Sequence, residues 1–264
     1  MAKEVAAVKA SLPTAKVDVS SFDNVSTGFE NVTSKDLLIP RLTILQGLSP
    51  QVTIGKSEYD KDAKVGDIYD VGLQERFPEG VLFIPVHYQK QWLQWAPRAS
   101  GKGLQGVHDD ESILDKTQQD EKGRAVLQNG DYITETAQIY GINVTADFRK
   151  CFLPMASTQL KKARRLLTLA TSEKLQREDG SFFTPPIYYR CYKFTTVPES
   201  NNEGSWMGWK IERDKALPEI PNWNLLMSDI KQFRDSLAKG EVRADMSGIE
   251  TDGTAKVHSD TDAM

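Results

Sequence analysis

Apolar positions recur with two periods along the chain, and the switches between them mark its elements. Leu37 to Gln46 is apolar and β-branched with Pro40 inside it, which breaks a helix and leaves a strand. Gly55, Gly66, Gly72 and the Pro78-Glu-Gly80 turn then cut the next forty residues into short pieces, as in a meander or barrel. Val81 to Trp95 is the strongest strand signal, bounded by Gly80 and Pro97. Period-two geometry places Ile84, Val86, Tyr88, Lys90 and Trp92 on one face and His87, Gln89, Gln91, Leu93 and Trp95 on the other. Thr134 to Val144 resumes the strand pattern, and Ile187 to Val197 with Ser205 to Glu212 predicts a hairpin turning through 198–204.

Two segments follow the helical period instead. In 157–171, Leu160, Ala163, Leu166, Leu167 and Ala170 share one side, with Leu169 the one apolar residue outside the stripe. Near the C-terminus, Trp223, Leu226, Met227, Ile230, Phe233 and Leu237 recur at helical spacing between Asn222 as N-cap and Gly240 as stop. The order of signals predicts an α+β, β-rich fold with a barrel or meander core, a basic amphipathic helix and a C-terminal helix.

Residues 1–30 mix small, polar and charged types without a period and predict a flexible arm, leaving 31–240 as a single domain. Within it, 100–130 is rich in Gly, Asp and Gln and predicts a long acidic loop excursion; 241–264 predicts a weakly acidic tail. No apolar run approaches the ~18 residues that cross a bilayer, and the N-terminal alanines are interrupted by charges, so the expectation is a soluble, cytoplasmic protein. Cys151 and Cys191 lie in apolar surroundings and read as reduced core cysteines. His87, His108 and His258 share no ligand spacing, so no metal and no cofactor is expected.

Charge changes the picture. The chain carries a formal net charge of −4, yet Arg149 to Arg177 holds eight basic residues and one acid, so the rest sums to −11. Lys161, Lys162, Arg164 and Arg165 stand opposite the apolar stripe of the first helix, with no acid at i±3 or i±4 inside it. A partner is therefore required, either a polyanion or an acidic segment of the chain, for which 109–121 and the tail are the candidates.

Three strand elements interleave rings with cations, the composition of a surface that stacks bases and tracks phosphates. They contribute Lys90 with Trp92 or Trp95; Tyr188, Arg190, Tyr192 and Phe194 along one face; and Trp206 or Trp209 with Lys210. An Arg flanked by tyrosines predicts an exposed face, since a buried guanidinium needs an acid. The residues thus point to a single-stranded nucleic acid. Two other classes fit parts of the pattern. One is a structural or scaffold protein whose basic helix meets another subunit. The other is a Mg²⁺ nuclease using Asp109, Asp110, Glu111 and Asp115, although the chain lacks a Gly-Lys-Thr phosphate loop and a nucleophile elbow.

The strings Ile39-Pro-Arg-Leu-Thr-Ile-Leu-Gln-Gly-Leu-Ser-Pro-Gln-Val52, Ser157-Thr-Gln-Leu-Lys-Lys-Ala-Arg-Arg-Leu-Leu167 and Thr195-Thr-Val-Pro-Glu-Ser-Asn-Asn-Glu-Gly-Ser-Trp-Met-Gly-Trp209 resemble bacteriophage single-stranded DNA-binding proteins of the replication and recombination module. The resemblance runs from about residue 30 to 240. It implies an OB-like barrel, no catalytic activity, protection of DNA during replication and recombination, and phage or host proteins of those processes as partners. Self-association is compatible with it. The tail departs from the pattern of strongly acidic tails with an aromatic end, because it closes on Asp260-Thr-Asp-Ala-Met264.

Overall fold

A computed structural model of the chain describes residues 38–244, except 122 and 203, together with Gly28, Glu30 and Asn31. The chain divides into two compact units, residues 1–33 and 34–264, and all the strands and helices named below belong to the second. The expected arm lies outside the described residues apart from Gly28 and Glu30, as does the expected tail from 245 onward.

The first strands are short, as the glycines predict: β1 (Leu38–Ile39), β2 (Leu42–Ile44), β3 (Ile68–Asp70) and β4 (Glu75–Phe77). The long β5 (Val81–Trp95) has the bounds read from the sequence. The stretch expected as an acidic loop instead forms β6 (Leu104–His108), β7 (Thr117–Gln119) and β8 (Ala125–Leu127). β9 (Tyr132–Asn143) and β10 (Arg149–Ala156) lead into α1 (Leu160–Thr171). A small hairpin of β11 (Leu175–Gln176) and β12 (Phe182–Phe183) precedes the large one, β13 (Arg190–Asn201) and β14 (Gly204–Ala216). α2 (Trp223–Ala238) follows, and β15 (Arg243–Ala244), assigned to the tail by sequence, pairs parallel with β1.

β5 and β9 form an antiparallel spine from Phe83 opposite Asn143 to Trp95 opposite Tyr132. Each divides its outer edge between two partners. The start of β5 takes β13, and through it β14, while its end takes β6. The end of β9 takes β10, and its start takes β8 with β7 beyond. One end of the spine is thus the five-stranded sheet β14-β13-β5-β9-β10, and the other is β6-β5-β9-β8-β7.

The edges β10 and β14 do not pair with each other, and the β2-β3-β4 sheet lies between them. On the β10 side, Phe152 donates its N–H to Pro40 O at 3.1 Å and bridges Arg41 in parallel. On the β14 side, the Gln46 amide donates to Met207 O and accepts from Met207 N, both at 2.9 Å. A side-chain amide so placed imitates a ladder pair. It satisfies an edge that would otherwise be open to another strand.

Both faces of the five-stranded sheet are covered. Phe83, Ile139, Leu153, Tyr192, Phe194, Trp209 and Ile211 pack with Ala163 and Leu166 of α1. Ile84, Val86, Tyr140, Ile142 and Phe152 pack with Leu226, Ile230 and Phe233 of α2. A register shift between Pro85 and His87 breaks the expected alternation of β5, so Ile84 and Val86 serve the α2 side while Tyr88 packs on the α1 side. The two spine strands cross closely there. A Cβ on Gly141, opposite Pro85, would collide with Ile84 O and the Phe83 ring.

Candidate nucleic-acid interface

α1 docks on the expected side, with Ala163 and Leu166 fully buried and Leu160 half-buried against the core, but Leu169, expected outside the stripe, packs on that core while Leu167, expected within it, is half-buried outside that cluster. Its opposite side meets a local difficulty. Lys161 and Lys162 sit in the first turn, at the positive end of the helix dipole, and no acid of the first turn offsets them. The compensating charge comes from β13. Glu199 Oε1 lies 2.5 Å from Lys162 Nζ and 4.0 Å from Lys161 Nζ. Its Oε2 accepts from Gln159 Nε2 at 3.2 Å and from Trp206 Nε1 at 3.1 Å. Burial pushes the Glu199 carboxyl up, but hydrogen bonds from Lys162, Gln159 and Trp206 and the Lys162 charge together hold it below the ordinary glutamate value.

The same sharing occurs twice more. Glu135 on β9 lies 3.2 Å from Lys90 Nζ and 4.0 Å from Arg164 Nη2. Glu173, just past the helix, takes Arg190 in a fork at 2.6 and 3.0 Å and lies 3.7 Å from Arg213. Hydrogen bonds from Arg190 hold the Glu173 carboxyl below its usual value against a smaller effect of burial. Arg213 also donates to Leu169 O and Ser172 Oγ, both at 2.7 Å, so it caps the C-terminal end of α1. Arg165 is exposed and has no ion-pair partner among the described residues. Six cations therefore share three carboxylates around one helix, with Arg165 beside them. The acids hold the cations in place without neutralising them.

The described partner acids lie outside 109–121, one of the two segments expected from sequence, and the other, the tail, is outside the described residues from 245 onward. In 109–121, Asp109 accepts from Gln89 and Gln91, Asp110 caps a 3-10 turn through Ser112 N, and Asp120 pairs with Arg124. Among the described residues, no group of three or more His, Cys, Asp or Glu side chains gathers as a metal site. Both cysteines are free and buried. Burial pushes the Cys191 thiol up to about 12 and that of Cys151 higher still.

Most of the expected stacking platform is core. Tyr192 and Phe194 pack under α1, Phe194 edge-on to Trp209 with ring centroids 5.8 Å apart. Trp92 packs with Ile113 and Ile133, Trp95 with Leu93, and Tyr188 lies under α2 in a 3-10 turn rather than a strand. Arg190 is not solvated between tyrosines, because Glu173 supplies the acid that a half-buried guanidinium needs. Lys210 pairs with Glu212 at 2.9 Å, on the strand face opposite Trp209 and Ile211. Of the seven expected rings, Trp206 alone stays half-exposed, and it stands at the N-terminal end of the cation row beside Glu199. Lys90, Lys161, Lys162, Arg164 and Arg165 are brought together with it. Arg213, Gln159 and the three acids belong to the same surface and are not singled out by sequence, since their partners are distant along the chain.

The family model for the Pam3 phage gp34-like protein matches residues 7–243. The chain belongs to that family. It is a bacteriophage protein, and the match spans the spine, both helices and every residue of the cation row. No curated protein is matched by the chain, and no solved structure is matched. No described helix of this gp34-like protein is long and apolar enough to cross a membrane.

Proposed function

We propose that this gp34-like phage protein binds single-stranded DNA without catalysis, holding the phosphates along α1. The single observation that carries the reading is the two-to-one sharing of Glu135, Glu173 and Glu199 by six cations, with Arg165 as a seventh. A solvated helix face has no use for acids that fix cations yet leave half their charge uncompensated. A polyanion does, because the cations are ordered before it arrives and less side-chain entropy is lost on binding.

We further infer an OB-like topology. β5, β9 and β10 pair in order, α1 follows β10, and β13 and β14 return to the free edge of β5. In an OB-fold, the loop between the fourth and fifth strands flanks the bound oligonucleotide. Here the β13–β14 hairpin brings Glu199 and Trp206 to the start of α1. Phosphate contact dominates this reading, with Trp206 as the stacking residue beside it. The test is titration with oligo(dT) followed by tryptophan emission, in competition with duplex of equal length. Saturable quenching that duplex fails to displace is expected, and a preference for duplex or no binding would overturn the proposal.

A further inference from the structure

The small β11–β12 hairpin and α2 line an open-sided cavity of about 350 Å³ that the cation row does not include. Its walls are mostly rings and prolines: Phe183, Tyr189 and Trp223 with Pro186 and Pro218. Lys231 is the one charged residue lining it. The hairpin wall is held firmly. Arg177 N donates to Ser181 O at 2.8 Å, Lys174 Nζ donates to Thr184 Oγ1 at 2.6 Å, and the Arg177 guanidinium stacks 4.5 Å from the Phe183 ring centre. The cavity also touches the proposed phosphate track. Its wall residue Tyr189 lies under the Arg190 guanidinium at 5.9 Å, and Arg190 is the cation that Glu173 holds at the C-terminal end of α1.

We propose that this cavity receives a nucleobase from the strand lying along α1, an inference that rests on the function proposed above. The chemistry selects a flat, uncharged ring with a negative charge attached. Phe183, Tyr189 and Trp223 supply aromatic walls, and Lys231, the one charged residue lining the cavity, suits a flanking phosphate. The 12-residue helix between Trp206 and this cavity is ~18 Å long. The strand thus has a ring at each end of its row of cations, which gives the track a length of several nucleotides.

The test compares oligo(dT) with a strand of equal length made of abasic residues, which keeps the phosphates and lacks the bases. Phe183→Ala removes one wall on a two-residue strand, and Lys231→Ala changes the rim without touching a ring. We expect Phe183→Ala to weaken oligo(dT) about tenfold while leaving the abasic strand bound as before. Lys231→Ala is expected to weaken both strands. Equal loss for the two strands in Phe183→Ala, or none in either variant while wild type binds oligo(dT), overturns the nucleobase assignment. Absence of binding to both strands by wild type would instead sink the phosphate track itself, and the base site with it.

Discussion

The Glu199 carboxylate passes directly over the backbone of Gly208, so closely that a Cβ at 208 would come within 2.6 Å of Glu199 Cδ. The neighbouring strand of the hairpin is thereby shaped to let one acid reach across it to the start of α1. Gly208→Ala should push the carboxylate aside rather than the backbone, since the obstructing atoms belong to the end of a side chain. The expected cost is roughly 1 kcal/mol of stability by urea denaturation. A released Lys162, seen as faster solvent exchange of its Nζ protons, should accompany it.

Glu199→Gln keeps the hydrogen bond from Trp206 and removes the charge. One more uncompensated cation should make the salt dependence of oligo(dT) binding steeper by about 0.7 in log–log slope. The substitution should also change acid stability. The folded pKa of Glu199 is depressed, so its contribution is present above the ordinary glutamate value of 4.5 and is lost as pH falls through the lower folded value. Wild type should therefore lose more of its melting temperature on acidification than Glu199→Gln does. Equal losses would show that the carboxylate is not held by its neighbours.

Glu173 stabilises by answering a guanidinium drawn half into the sheet. Glu173→Gln leaves Arg190 with a neutral partner in a site where both side chains are mostly covered, with relative exposures of 20% and 16%. A loss of about 2 kcal/mol is expected in chemical denaturation. Arg213→Gln, whose side chain is 39% exposed, should cost less.

The joint between β2 and β14 rests on the Gln46 amide. Gln46→Leu removes two hydrogen bonds to the Met207 backbone and should cost about 2 kcal/mol. Hydrogen exchange at the Met207 amide reports the change directly. Faster exchange there, with α1 amides unaffected, is the expected pattern.

Elements are more legible in the sequence than faces. The bounds of β5, the docking stripe of α1 and the Trp223-to-Leu237 helix follow from local periodicity, which needs only neighbouring residues. Which strand face is exposed does not follow when a sheet is covered on both sides. Tyr192 and Phe194 then look like a binding face while packing under a helix. The shift between Pro85 and His87 also breaks the period-two count within β5. The basic helix is legible as a site in need of an anionic partner, but its acids Glu135 and Glu199 come from strands remote in sequence. Ion pairing between distant segments leaves no periodic trace. The stretch 100–130 reads as a loop because its strands are short and set among Gly, Asp and Gln, and β6 and β8 gain their pairing from the ends of the spine.

Six cations paired with three carboxylates, together with Arg165, give the proposed phosphate track a surplus of four positive charges. The salt dependence of oligo(dT) affinity measures that surplus. At about −0.7 per phosphate neutralised on a single strand, the log–log slope should be roughly −3 for wild type and shallower by about 0.7 in Arg165→Gln. A slope near zero, or one that Arg165→Gln leaves unchanged, would contradict the assignment of α1 as the DNA-binding surface.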